Sequence, residues 1–131
     1  MTTESLRPLV DTLKALAHPV RLRILALLRD GELCVCEVAE VLGLAPSTVS
    51  EHLTDLRRTG VVREWKLGRW VHVALSEEAA ARPVLEALWP LMAVAEAELA
   101  KDRAQARALR CEACGPTGCP APIASSGIPS A

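Results

Sequence analysis

The chain has 131 residues, half of them hydrophobic, with three Trp but no Phe or Tyr. One domain with a core of Leu, Val, Ala and Trp is expected. The formal net charge of −1 excludes no class of partner, because only the local distribution of charge matters for nucleic acid. No apolar run approaches the roughly 18 residues of a membrane span, and the opening MTTESLRPLVD has no basic stretch leading into an apolar one, so a cytoplasmic protein with reduced thiols is expected.

In SLRPLVDTLKALA, Leu6, Leu9, Val10, Leu13 and Leu16 recur at helical spacing and predict an amphipathic helix. His18-Pro19 breaks it and starts a second, since Pro suits the first helical position. In VRLRILALLR, Ile24, Leu25 and Leu28 share a face, and Asp30-Gly31 ends the helix. The spacing predicts a third helix over residues 33–42, stopped by Gly43. A fourth begins near Pro46, buries Val49, Leu53 and Leu56, and stops at Gly60. Two short helices around a Gly-containing turn are the pattern of a helix-turn-helix.

VVREWKLGRWVHVAL then changes period. It is rich in β-branched and aromatic residues, and Leu67-Gly68 marks a turn between two strands, so a hairpin or wing is expected. Leu85, Leu88, Met92, Ala95 and Leu99 follow at a spacing near 3.5 residues, which predicts a seam on one long helix, with dimerisation as its use. The fold expected is therefore mainly α with a small β-hairpin. It is a winged helix-turn-helix over residues 1–110, with the C-terminal helix as its dimer seam. Residues 111–131 form a Cys-containing tail of Pro, Gly and Ser.

On the fourth helix, Ser47, Glu51, Thr54 and Arg58 lie opposite the buried stripe, flanked by Thr48 and Ser50. Small hydroxyl residues there can reach phosphates and base edges, though each alone could be a capping residue. Glu51 could accept from a cytosine amine or lower affinity. His52 lies on the edge of the stripe and either packs or meets phosphate, His18 starts a helix, and His72 is expected at the surface. Arg57, Arg58, Arg63, Lys66 and Arg69 against Glu64 give a local charge of +4 around the wing, suited to phosphates.

These stretches resemble the ArsR/SmtB family of winged-helix metalloregulatory repressors. The resemblance is carried by LKALAHPVRLRILALL, ELCVCEVAEVLGLAPSTVSEHLTDLRRTGVV and GRWVHVAL, most of residues 12–75. It implies a homodimer, through the N- and C-terminal helices, that binds double-stranded operator DNA and releases it when a metal or metalloid binds. ELCVCE is similar to the arsenic- and antimony-responsive branch, with As(III) or Sb(III) as inducer and no organic cofactor. That branch often has a further cysteine where this chain has Ala39. The family's His- and acid-based zinc site on the long helix has no counterpart, since residues 77–110 contain no His.

Soft trivalent arsenic prefers thiolates. The candidate ligands are Cys34, Cys36, Cys111, Cys114 and Cys119. Cys34 aligns with Val38 and Val41 on a buried stripe and alone would read as a small core residue; Cys36 and the tail cysteines have no packing role. Either the tail trio forms a site, or the Cys34/Cys36 pair borrows a tail cysteine from its own or the partner subunit. In an ideal helix Cys34 and Cys36 point about 200° apart, so one ion could hold both only by unwinding the first turn.

Repressors of the same fold that respond to cadmium or lead, or to thiol oxidation or persulfide, use the same residue types. A structural zinc clip in the tail is a further alternative. An enzyme is not expected: Cys111-x-x-Cys114 lacks the βαβ setting of a thiol oxidoreductase, and no nucleophile–base pair accompanies it.

Overall fold

The computed structural model describes residues 3–112, with side chains as far as residue 110. After a 3-10 turn at Thr3–Leu6 come α1 (Arg7–Leu16) and α2 (Pro19–Leu28), then a short strand β1 (Leu33–Cys34), α3 (Val35–Leu42) and α4 (Pro46–Arg58). The hairpin β2 (Val62–Leu67) and β3 (Trp70–Leu75) follows, then α5 (Arg82–Leu91), a 3-10 turn (Met92–Ala95) and α6 (Glu96–Glu112). The expected helix-turn-helix is α3–α4, and the wing is β2–β3.

Helix α2 is the centre of the core. Ile24, Leu25, Ala26, Leu27 and Leu28 are consecutive and all buried, as suits a helix covered on every side. Around it pack Val38 of α3 and the Val49, Leu53 and Leu56 stripe of α4, as the sequence predicts. His18 caps α2: its Nδ1 accepts from the Val20 N–H at 3.1 Å. Gly43, with φ of 70°, takes the left-handed conformation that ends α3 and turns the chain into α4.

The structure differs from the sequence expectation in three places. First, residues 33 and 34 are not helical. They pair antiparallel with the wing, Leu33 opposite Val73 and Cys34 opposite His72, giving a three-stranded sheet in the order β1-β3-β2. Second, the C-terminal helix is broken. Pro90 removes a backbone donor inside α5, and the chain passes through a 3-10 turn before α6. Third, Leu85, Met92 and Leu99 are buried within the chain's own fold, and Leu88 and Ala95 pack partly against it. The stripe read as a dimer seam is thus core.

The apolar surface left outside is elsewhere. Leu6, Leu9, Val10 and Leu13 of the N-terminal segment are exposed, as are Leu91 and Val94, the last at 94%. Arginines hold α6 on the body. Arg23 makes two hydrogen bonds to Asp102 at 2.9 and 3.0 Å, and Arg103 two to Asp30 at 3.0 and 3.2 Å. Such paired bonds fix orientation as well as distance.

Candidate thiol site and nucleic-acid interface

The two cysteines of LCVCE sit on different elements. Cys34 ends β1 with extended backbone, φ −78° and ψ 147°, and serves as the N-cap of α3; Cys36 lies in the first turn of that helix. Cys34 and Glu37 cap each other: the Cys34 N–H donates to Glu37 Oε1 at 2.8 Å, and the Glu37 N–H is directed at the Cys34 sulfur. Because the chain bends here, the sulfurs are side by side, Sγ to Sγ 2.9 Å, as two reduced thiols. The 200° separation of an ideal helix therefore does not apply, and no turn must unwind for one ion to touch both. Bonds of about 2.3 Å from a single ion reach sulfurs up to about 4 Å apart, so the pair needs only to open slightly.

Cys34 is buried, at 2% exposure. Side chains alternate across a strand. Leu33, Val62 and Val73 pack into the core, so Cys34, His72 and Trp65 occupy the opposite face of the sheet. Residues directly opposite in an antiparallel pair are neighbours, which makes Cys34–His72–Trp65 a row across all three strands. His72 stacks on Trp65, with ring centroids 5.8 Å apart and planes 15° from parallel.

His72 is not at the surface as the sequence suggested. It is 2% exposed, and among the described residues neither ring nitrogen has a hydrogen-bond partner. Burial lowers its pKa below the ordinary imidazole value, so the ring is neutral at pH 7 and its 4.0 Å approach to Glu32 is not an ion pair. Glu32 and Glu37, which flank the thiols, both have pKa values raised by burial.

A pH dependence follows. The unfolded chain takes up a proton near pH 6.5, whereas folded His72 resists it, so the unfolded state binds more protons below that pH. Stability is complete above pH 6.5 and falls as pH drops beneath it, by up to about 1.4 kcal/mol per pH unit for each such proton. His52, lowered first by burial and then by His18 and Arg21, acts in the same direction. The raised carboxylates oppose this only nearer their own range. We expect the thermal midpoint to drop from pH 7.5 to pH 6, and the drop to shrink in His72→Phe. An equal drop in that variant would remove His72 as a cause.

On the DNA side, Ser47, Ser50, Glu51, Arg57 and Arg58 are exposed, and Thr48, His52 and Thr54 half-buried, on α4. Thr54 donates to the Ser50 carbonyl at 2.9 Å. His52 Nδ1 accepts from Arg21 Nε at 3.1 Å, and Arg21 also reaches Asp55 and, at 3.2 Å, the Ala15 carbonyl. One arginine of α2 thus ties the end of α1 to the outer side of α4. The sequence reading passed over Arg21, because its side-chain partners His52 and Asp55 lie 31 and 34 residues away. The basic cluster is partly paired within the fold. Arg57 bonds Glu64 at 2.7 Å, Arg58 lies 3.6 Å from Asp55, and Arg63 lies 3.9 Å from Glu77 and over Trp65. Lys66 and Arg69 are on the wing, Arg69 beside Trp70.

Cys111 stands in the last turn of α6, but its side chain, Cys114 and Cys119 lie outside the described residues. Among the described residues no three His, Cys, Asp or Glu side chains gather as donors around one ion. None of the described helices is long and apolar enough to cross a membrane.

Residues 18–64 match the family described as bacterial regulatory protein, arsR family. The chain is 41% identical over 66 residues to an arsenic resistance transcriptional regulator of Pseudomonas putida, an alignment covering 50% of this chain and 52% of that protein; it thus spans about half the length of this relative. It is 37% identical over 83 residues to the arsenical resistance operon repressor of Escherichia coli, covering 61% of this chain and 71% of that one. Among solved structures it is similar to the homodimeric winged helix-turn-helix DNA-binding domain of a possible ArsR-family transcriptional regulator from Mycobacterium bovis. That likeness has a TM-score of 0.61 at 26% identity and covers 76% of this chain and 90% of that one.

Proposed function

This chain belongs to the arsR family of bacterial regulatory proteins, and from that premise we propose that it is a cytoplasmic repressor that binds operator DNA as a homodimer and releases it on binding arsenite or antimonite. The observation that carries this reading is the pair of thiols 2.9 Å apart at the junction of helix-turn-helix and wing. Two soft donors so placed suit a thiophilic centre, and the similar proteins include two named for arsenic resistance.

The position also supplies a route to the DNA-reading elements. Cys34 is bonded through its strand to β3 of the wing, and Cys36 belongs to the first turn of α3, the helix before the reading helix. Holding both sulfurs on one ion shifts β1 relative to α3 and disturbs the Cys34–Glu37 cap between them. Couplings of about 1–3 kcal/mol change affinity five- to 150-fold, enough for a switch. DNA contact falls to Ser47, Thr48, Ser50, Glu51, His52, Thr54, Arg57 and Arg58 on α4, with Lys66 and Arg69 on the wing. The ligand set is Cys34 and Cys36 with one or more of Cys111, Cys114 and Cys119.

The test is fluorescence anisotropy of the reduced protein on a labelled copy of its own promoter, titrated with arsenite. Release at about one equivalent per subunit is the expected result. Tight DNA binding that ignores arsenite but yields to cadmium, lead or oxidant would replace the inducer and keep the repressor.

A further inference from the structure

We infer that Arg21 is the positioning residue of the DNA-reading helix: through His52 and Asp55 its guanidinium sets the rotation of α4, and with it the choice of operator sequence. This rests on the repressor reading above, since it concerns how α4 reads DNA.

The packing beneath α4 leaves that rotation to be fixed. Val49, Leu53 and Leu56 are fully buried, but apolar contact is non-directional, whereas an arginine fork has a rigid, planar geometry. From α2, Arg21 donates Nε to His52 Nδ1 at 3.1 Å, one terminal nitrogen to Asp55 Oδ2 and the other to the Ala15 carbonyl at 3.2 Å. His52 and Asp55 are three residues apart and so share one side of α4. The fork thus holds α4 at two points about one turn apart and refers both to the end of α1. The ring of His18, at the head of α2, adds a contact to His52, with centroids 4.6 Å apart. Beside these anchors stand Glu51 and Thr54, both in the proposed DNA-contact set. A turn of α4 about its axis at residues 52 and 55 therefore moves the reading face directly.

A phosphate contact does not suit Arg21 itself. Its side chain is only 17% exposed, and Nε and both terminal nitrogens already donate to protein atoms. A cleft lined by Lys14, Asp55, Arg58 and Thr59 lies beside it between α1 and α4. The guanidinium bridges the two helices where side-chain packing leaves a gap.

The test measures anisotropy of the full-length protein on two labelled duplexes of equal length, its own promoter and an unrelated sequence, over a series of salt concentrations. Arg21→Met keeps the apolar stem and loses every donor. Its preference for promoter over unrelated DNA should fall about tenfold or more, the size of one lost base contact. Affinity for the unrelated duplex and its salt slope should stay at wild type, because phosphate contacts are untouched. An unchanged preference would overturn the inference. Equal weakening on both duplexes would also overturn it, and a salt slope smaller by about one for each Arg21 would then identify a phosphate contact. Wild type with no preference for the promoter would overturn the repressor reading, and this inference with it.

Asp55→Ala supplies an independent measure should Arg21→Met fold poorly, since Asp55 is 40% exposed. As a change of charge alone it would tighten binding to every DNA; as the loss of an anchor it should lower the preference for the promoter. The double variant should lose no more preference than Arg21→Met. Additive losses would show two unrelated effects and overturn the shared device.

Discussion

Leu9→Glu with Leu13→Glu is expected to convert the protein to a monomer and to weaken operator binding by at least about 100-fold. Leu6, Leu9, Val10 and Leu13 form a stripe on the first helical segment whose side chains stay exposed, while Leu16 on the same helix is buried. Leu91 and Val94 add to the uncovered apolar surface. Contiguous apolar surface of this kind marks an interaction site. In a two-fold interface each substitution appears twice, so four carboxylates would enter it, at several kcal/mol. A monomer reads one half-site and loses the avidity of two, typically 10²- to 10⁴-fold. Both residues are exposed in the monomer, so the fold should survive, and circular dichroism would show it. Sedimentation equilibrium and operator anisotropy decide the matter; a double variant that stays dimeric would move the interface off α1.

The second large effect is expected at the thiols. Cys36→Ser should bind operator like wild type and show no release by arsenite, where the proposed function predicts a five- to 150-fold loss of affinity for the wild type. Cys34→Ser should behave alike. Although Cys34 is buried, it is the N-cap of α3, and Ser is among the preferred residues at that position, so α3 should remain intact. Cys34→Ala removes the capping group and should cost a further 1 kcal/mol or so of stability. Comparing Ser with Ala at residue 34 therefore separates the cap from the ligand. Full arsenite release from the Cys34→Ser, Cys36→Ser double variant would place the response in the tail alone.

These predictions differ from those an ideal helix suggests. With Cys34 and Cys36 on opposite sides of one helix, binding would have to unwind it. With Cys34 in a strand, the two sulfurs are already together, and an ion bound under the proposed function would move the strand against the helix. That movement would reach the wing through the Cys34–His72 pairing as directly as it would reach α4 through α3.

Much of the architecture was legible from local pattern. The Val49, Leu53 and Leu56 stripe, the Gly43 stop, His18-Pro19 at the head of α2 and the turn at Leu67-Gly68 each act through neighbours within a helical turn or a hairpin, so spacing alone reveals them. The likeness of ELCVCEVAEVLGLAPSTVSEHLTDLRRTGVV to the arsR family was legible for the same reason. What the tertiary structure decided are the features made by residues far apart in the chain. Pairing with β3 pulled residues 33 and 34 out of the expected helix, brought the two sulfurs together, and set buried His72 beside a strand that two residues could not announce. The Leu85, Met92 and Leu99 stripe has the period of a seam, but period says only that a face is covered, not by what; in the fold α2 and its neighbours cover it, and α1 keeps the exposed face. Arg21 was passed over, because its side-chain partners His52 and Asp55 stand 31 and 34 residues away and only the packed fold brings them within bonding distance.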